Sequence, residues 1–181
     1  MSAHIAAEVR LAQAEGDRDA VFAVRYQVFV QEQSVPEELE YDEFDLTADH
    51  FLALLDGVPA GAGRLVFIDS VPDADPGQGT KATGILGRLA VSKAARGTGL
   101  GKLLVHAIEQ RAAGRGLAAV ELHAQTHACG FYQQLGYAAY GDLFSEAGIE
   151  HINMRKKLRL RSLKPVFPVV AEHQFGACLD M

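Results

Sequence analysis

A glycine-rich turn between a predicted strand and a predicted helix constrains this chain most. The turn reads Arg96-Gly97-Thr98-Gly99-Leu100-Gly101 and follows the apolar run from Ile85 to Val91. The pattern after it predicts a helix over 99–114. The face of this helix that we expect to be buried carries Leu100, Leu103, Leu104, Ala107 and Ile108. Such a turn directs main-chain N–H groups outward at the positive end of a helix, which predicts a phosphate-bearing ligand.

Strand-like and helix-like segments alternate along the chain, which predicts an α/β fold built on one mixed sheet. The predicted strands are 5–12, 50–55, 58–68, 82–92, 118–123, 136–140 and 149–158. The predicted helices start at Gly16 (ending before Pro36), at 99 and at 126, and the predicted loops are 33–48, 69–80 and 141–148. We expect one domain over 1–158, with a tail over 159–181 that packs on the domain or on a partner.

Composition excludes several classes of protein. The formal net charge of −6 at pH 7 argues against a general nucleic-acid-binding surface. No apolar run approaches the roughly 18 residues of a membrane span, and charged residues near the N-terminus argue against a signal peptide. The two cysteines, Cys129 and Cys178, have neither zinc nor CxxC spacing. We therefore expect a cytoplasmic protein that binds no metal, membrane or nucleic acid.

Two common phosphate-binding motifs do not fit the glycine turn. A P-loop requires Ser or Thr after Gly101-Lys102, but Leu103 stands there. A dinucleotide fingerprint, GxGxxG, would need glycine where Lys102 or Leu104 stands. A plain connector without a ligand stays open on the turn alone.

The remaining pattern, R-x-x-G-x-G after a strand, resembles the acyl-CoA pyrophosphate loop of the GNAT N-acetyltransferases. Residues 128–137, ACGFYQQLGY, are similar to the A-x-x-[LF]-Y-x-x-x-G-[FY] segment of that family. Further stretches resemble the ElaA- and YjcF-like branch: residues 24–33, the acidic loop with Asp42 and Asp45, His50, 123–127 and 147–154. The resemblance covers residues 20–158. It implies the GNAT fold, a sheet of six to seven strands that opens in a V between the strands at 82–92 and 118–123.

The same resemblance implies acetyl-CoA as the acyl donor. It assigns the pyrophosphate to the amides of Gly97, Thr98, Gly99, Gly101 and Lys102, with added charge from Arg96 and Lys102. It places the pantetheine arm beside Leu89, Ala90 and Val91. Gln125 stands where many relatives have an asparagine that contacts this arm. Tyr132 aligns with the tyrosine that many relatives use as the general acid toward the CoA thiolate, a role that a protonated phenol can fill.

The general base and the acceptor site are less constrained by the sequence. Glu121, His123 and Gln125 alternate along one strand and share a face, which indicates a lined cleft. His123, Glu32 and His151 are candidate bases, and a water chain is an alternative to all three. The residues that we expect near the acceptor are Arg88, Glu121, His127 and His151. For Arg88 the sequence leaves two options, a substrate carboxylate or a structural ion pair.

These inferences predict an N-acetyltransferase that moves acetyl from acetyl-CoA to a primary amine of a small molecule by direct attack. A related enzyme class stays open, because Arg25-x-x-Val28-Phe29 and Asp42-Glu43-Phe44-Asp45 also resemble acyl-homoserine-lactone synthases. Those synthases generally lack the R-x-x-G-x-G turn. A non-catalytic acyl-CoA sensor is a further alternative. The acceptor is not identified, and a homodimer is one option for the assembled state.

Overall fold

The computed structural model describes residues 6–71 and 81–158, and seven strands in this part of the chain form one mixed sheet. The strands are β1 (Ala7–Leu11), β2 (Asp49–Leu55), β3 (Val58–Val71), β4 (Lys81–Val91), β5 (Ala119–Gln125), β6 (Ala138–Glu146) and β7 (Ile149–Lys157). Their order across the sheet is β1-β2-β3-β4-β5-β7-β6. The pairing of β4 with β5 is parallel and the other neighbours pair antiparallel. The predicted α/β fold is confirmed.

Four α-helices accompany the sheet in the described residues. They are α1 (Asp17–Arg25), α2 (Glu37–Glu40), α3 (Leu100–Gly114) and α4 (Cys129–Gln134). Short 3-10 turns lie at Glu43–Leu46, Lys93–Ala95 and Thr126–Ala128. The chain continues from α1 as a π-helix over Tyr26–Glu32, whose end is marked by a hydrogen bond from Gln33 N–H to Val28 C=O (3.1 Å). Within the described ranges, no helix combines the length and the apolar composition that crossing a bilayer requires.

The two faces of the sheet are covered by different helices. On one face α3 buries Leu100, Leu104 and Ile108 at helical spacing, as predicted. Leu103, predicted on this face, is instead 43% exposed, because the buried stripe runs through Val105 and Ala112. The opposite face is packed by Val21, Val24 and Val28 of the first helical segment against Leu52, Leu54, Ala62 and Ala90.

The predicted long loop between the last two strands is wrong. β6 extends to Glu146, and Ala147 and Gly148 alone join it to β7, both with positive φ (50° and 76°). A two-residue turn of this kind matches the twist of an antiparallel hairpin. The predicted loop 33–48 contains α2 and a 3-10 turn, and β3 extends into the predicted loop 69–80. Residues 72–80 and the tail 159–181 lie outside the described residues.

The sheet opens at its centre, as predicted. β4 and β5 pair at only three described positions, Thr83 with Ala119, Gly84 with Val120 and Ile85 with Glu121. Beyond them the two strands separate, while β4 stays paired with β3 and β5 stays paired with β7. The V-shaped opening therefore lies between two intact half-sheets, and the candidate site occupies it.

Candidate functional site

The opening between β4 and β5 widens into a cleft of about 1350 Å³. At one end lie Arg96, Gly97, Gly99, Gly101 and Lys102 of the glycine turn. At the other end lie Leu39, Glu40, Asp42 and Phe44, which belong to residues 37–46, called the acidic segment below. Between the two ends the lining includes Arg88, Leu89, Val91, His123, Gln125, His127, Tyr132, Glu146 and His151. Most of the predicted site residues are therefore brought together in one cleft.

The glycine turn leaves its N–H groups available to a ligand. Gly97 and Gly99 have positive φ (81° and 87°), and a Cβ added at either would meet no atom within 4 Å. No side chain caps α3, and in the described residues the amides of Gly97, Gly99 and Gly101 have no main-chain acceptor. Unpaired amides at the positive end of a 15-residue helix suit an anion. These features fit the pyrophosphate that the sequence predicted.

Thr98 and Arg96 differ from the other residues of the turn. The Thr98 hydroxyl donates to Ala95 C=O at 2.7 Å, and its N–H faces the same oxygen at 3.4 Å. The Arg96 guanidinium forms a two-bonded pair with the Glu32 carboxylate (2.6 and 2.8 Å), and its Nε donates to Val91 C=O (3.1 Å). The charge of Arg96 is thus already balanced, whereas the exposed Lys102 ammonium forms no ion pair within the described residues.

In the part of the chain that the structure describes, the β5-facing edge of β4 is open along Leu89, Ala90 and Val91. Pairing with β3 changes register here, from Ala62 opposite Ala90 to Arg64 opposite Gly87. β4 therefore contains one extra residue, and Arg88 at this bulge has a φ of 53°. Bulges bend a strand and redirect its side chains near functional sites. An unpaired strand edge can accept an extended ligand through main-chain hydrogen bonds.

Tyr132, on α4, is buried but still contributes to the lining of the cleft. Its ring meets Phe131 edge-on at 5.0 Å and Tyr137 at 5.8 Å. Burial raises the pKa of Tyr132 above that of an ordinary phenol. The hydroxyl is therefore protonated at neutral pH and can donate a proton or a hydrogen bond.

His123 is paired with a carboxylate that the sequence did not identify. Its Nδ1 lies 3.0 Å from Glu146 Oε2, and its ring packs edge-on against Phe144 at 5.0 Å. Phe144 in turn stacks on His151, whose Nδ1 lies 2.8 Å from Ile149 C=O. A carboxylate acceptor at Nδ1 leaves Nε2 as the basic nitrogen of a neutral imidazole. Glu146 lies beside His123 because β6 extends to this residue. The strand predicted over 136–140 is too short to indicate the pair.

Glu32 and Glu121 are not available as free carboxylates in this arrangement. The hydrogen bond from Arg96 lowers the pKa of Glu32, which makes this carboxylate a weaker base. Glu121 is outside the cleft lining and lies where β4 and β5 still pair. It accepts a hydrogen bond from the Tyr140 hydroxyl (3.1 Å) and lies 3.3 Å from Arg155 Nε.

Gln125 and His127 do line the cleft. The Gln125 side-chain amide donates to Gln33 Oε1 at 3.0 Å, so it connects β5 with the end of the π-helix. His127 is exposed at the base of α4. Gln125 therefore lies where the opposite walls of the cleft approach each other.

A network of ion pairs fixes the acidic segment to the domain. Arg25, which is fully buried, contacts Glu40 and binds Asp45 through two bonds (2.7 and 3.1 Å). The other contacts are Arg64 with Asp42 (2.6 and 2.9 Å) and Asp45 (2.8 Å), and Arg88 with Glu40 (3.1 Å) and Asp42 (3.1 Å). Of the two options for Arg88, the structure shows the ion pair.

The network controls the ionisation of its carboxylates. Burial alone would raise the pKa of Asp45, but hydrogen bonds from Arg25 and Arg64 outweigh it and hold the pKa well below the usual range. The pKa of Asp42 is also lowered, because Arg64 and Arg88 outweigh the effect of burial. Both side chains are therefore negatively charged at neutral pH and are neutralised by arginines.

Comparison with known proteins gives the same family from sequence and structure. Residues 12–158 match the model of the acetyltransferase (GNAT) domain. The N-acetyltransferase YjcF of Bacillus subtilis is 37% identical over 136 residues, covering 75% of this chain and 89% of that protein. Protein ElaA of Escherichia coli is 31% identical over 142 residues, covering 77% and 86%.

Solved structures resemble the whole described fold. An acyl-CoA N-acyltransferase from Pseudomonas aeruginosa has a TM-score of 0.66 at 31% identity, covering 84% of this chain and 99% of that chain. The crystal structure of Escherichia coli ElaA has a TM-score of 0.66 at 26% identity, with coverages of 84% and 99%. The sheet and its flanking helices therefore follow an arrangement seen in solved acyltransferases.

Proposed function

Because this chain belongs to the GNAT acetyltransferase family, in its ElaA- and YjcF-like branch, we propose that it transfers acetyl from acetyl-CoA to a primary amine of a small molecule. The observation that carries the proposal is that the uncapped glycine turn, the open edge of β4 and Tyr132 all line one cleft. Direct attack in a ternary complex is the mechanism. The protein acts in the cytoplasm, as expected from its sequence.

Acetyl-CoA supplies the acetyl thioester, and the glycine turn holds its pyrophosphate. The amides of Gly97, Gly99 and Gly101 and the Lys102 ammonium are the donors, since they have no other partner in the described residues. Main-chain groups of Leu89, Ala90 and Val91 bind the pantetheine arm along the open edge of β4. Arg96 was expected to add positive charge at the pyrophosphate. Its guanidinium instead pairs with Glu32 and so connects the π-helix to the glycine turn.

Two proton transfers accompany the formation of the amide bond. As the amine nitrogen attacks and the carbon–sulfur bond breaks, the amine loses one proton and the departing sulfur gains one. Tyr132 gives the proton to sulfur, because burial keeps its hydroxyl protonated. His123 takes the proton from the amine through Nε2, while Glu146 accepts the Nδ1 hydrogen and orients the ring.

The test is the release of thiol from acetyl-CoA with a panel of amines, for the wild type and Tyr132→Phe. General acid catalysis contributes roughly 10²- to 10⁴-fold, so we expect kcat to fall by about 10²-fold or more while the KM for acetyl-CoA stays unchanged. Tyr140→Phe is the matched control, because Tyr140 is exposed and bonds to Glu121 outside the cleft.

Two results would contradict the proposal. Full activity of Tyr132→Phe would remove the assigned acid. Thermal stabilisation by acetyl-CoA without turnover of any amine would instead favour a non-catalytic acyl-CoA-binding protein.

A further inference from the structure

The acidic segment buries two of its acids and exposes two apolar side chains. Glu40 and Asp45 are buried, whereas Leu39 and Phe44 are 53% and 47% exposed and line the cleft. Its other acids, Glu37, Glu38, Asp42 and Glu43, are exposed or half-buried. Exposed segments ordinarily place charges in water and apolar side chains in the core. Two half-exposed apolar side chains in a cleft indicate a ligand that covers them.

The ion-pair network holds these side chains in place. Arg25 and Arg64 draw Asp45 inward, and the Arg88 guanidinium donates to Leu39 C=O (3.1 Å) and to Glu40 C=O (2.9 Å). The backbone beneath Leu39 is therefore fixed by Arg88. Phe44 is fixed as well, since its N–H donates to Asp42 Oδ1 at 3.0 Å.

The position of the segment assigns it to the acceptor. Arg88, which contacts it, immediately precedes Leu89, Ala90 and Val91, where the proposed donor arm lies. The glycine turn follows Val91, so it lies on the far side of these three residues from Arg88. The apolar side chains therefore lie beyond the reacting end of the arm and not beside its phosphates.

The charges of the cleft disfavour an acceptor that carries a carboxylate. Arg64, Arg88 and Arg96 all face the cleft, and each is already paired with an acid. Among the described residues, Arg64 Nε has no acceptor, but it is buried and closed to the cleft. Binding a substrate carboxylate at one of these arginines would therefore require an existing ion pair to break. The Lys102 ammonium, which is unpaired within the described residues, lies at the glycine turn, which is proposed to hold the pyrophosphate.

We propose that the acceptor is a primary amine on an apolar body that bears no carboxylate, such as an arylalkylamine, and that Leu39 and Phe44 bind this body. The inference rests on the proposed acetyl transfer. It extends it by naming the chemical class of the acceptor and two residues that select it.

The experiment compares three amines with acetyl-CoA: 2-phenylethylamine, phenylalanine, which adds a carboxylate, and ethylamine, which lacks the ring. We expect kcat/KM for 2-phenylethylamine to exceed that of each of the others at least about tenfold. Leu39→Ala and Phe44→Ala should each raise the KM for 2-phenylethylamine about fivefold. The KM for acetyl-CoA should not change.

Leu46→Ala is the matched control, because Leu46 belongs to the same segment, is 80% exposed and does not line the cleft. It should leave both KM values unchanged. A preference for phenylalanine or ethylamine would overturn the inference and leave acetyl transfer intact. A further outcome is that octanoyl-CoA reacts faster than acetyl-CoA and that Leu39→Ala raises the KM for octanoyl-CoA. Leu39 and Phe44 would then bind the acyl chain of the donor, which would also overturn the inference. If no amine is acetylated, the proposed acetyl transfer fails, and the inference fails with it.

Discussion

The charge of Arg25 is balanced by two side chains that the acidic segment brings into the protein. The guanidinium contacts Glu40 and Asp45 and lies 5.0 Å from the centre of the Phe22 ring. A buried ion pair contributes little net stability, but losing one partner leaves an uncompensated buried charge. The main consequence of losing Arg25 would therefore be the uncompensated buried charge of Glu40 and Asp45.

We expect Arg25→Met to lower the free energy of unfolding by about 3 kcal/mol, because Glu40 and Asp45 would keep only part of their compensation. Urea unfolding followed by circular dichroism measures the loss. Glu8→Ala is the control, since Glu8 forms a solvent-exposed pair with Arg10 and its loss should change stability much less. Similar losses in both variants would show that burial of Arg25 has no special role.

The sequence showed the charges of this network but not their pairing. Arg25 lies 15 and 20 residues from its partners, and a run of acids ordinarily predicts a solvated face. Only the fold decides which acids meet an arginine. The Tyr132 position, by contrast, followed from a local motif, and the structure places it in the cleft with the glycine turn.

Among the elements, the glycine turn at the start of α3 offers a matched test. Gly99 and Gly116 flank the two ends of this helix with similar positive φ (87° and 79°), and an added Cβ would meet nothing within 4 Å at either. Gly99→Val and Gly116→Val therefore impose comparable backbone strain. Gly99→Val alone disturbs the amides that face the cleft.

We expect Gly99→Val to raise the KM for acetyl-CoA at least about tenfold, while Gly116→Val leaves it unchanged. Steady-state kinetics with varied acetyl-CoA measures both, and thermal unfolding checks that the two variants lose similar stability. A normal KM in Gly99→Val would contradict the role of the turn.

Elements with strong periodicity were predicted well, and those that depend on insertions were not. The strands at 50–55 and 82–92 and the helix α3 agree with the structure to within a few residues. The strand predicted over 136–140 stops too early, because β6 continues through a bulge between Tyr140 and Phe144 that contains Gly141 and Asp142. The π-helix was expected as an ordinary helix, since both forms bury similar apolar side chains and differ in residues per turn.

For the molecule as a whole, the network and its neighbour His50 make stability depend on pH. His50 Nε2 lies 2.9 Å from Asp45 C=O, while its buried Nδ1 has no partner in the described residues. Burial lowers the pKa of His50, so the unfolded chain takes up this proton first as pH falls. The lowered pKa values of Asp42 and Asp45 act in the same direction, whereas burial raises the pKa of Glu40, which acts in the opposite direction.

We expect the free energy of unfolding to fall as pH drops through about 6.5, the ordinary histidine pKa. It should fall again below about 4, where the unfolded chain protonates Asp42 and Asp45 before the folded protein does. Urea unfolding at a series of pH values measures both steps. In His50→Gln the first step should be smaller, whatever the absolute stability of that variant. An unchanged first step would assign it to another histidine.

The short seam between β4 and β5 also has a mechanical consequence. Only Thr83, Gly84 and Ile85 of β4 pair across it in the described residues, and the strand runs on to Val91. The six residues of β4 beyond these paired positions extend for about 20 Å, at about 3.3 Å per residue. A rotation of about 5° between the half-sheets would then move the mouth of the cleft by about 2 Å. Small adjustments of backbone twist at three residue pairs thus set the width of the gap that a donor must enter.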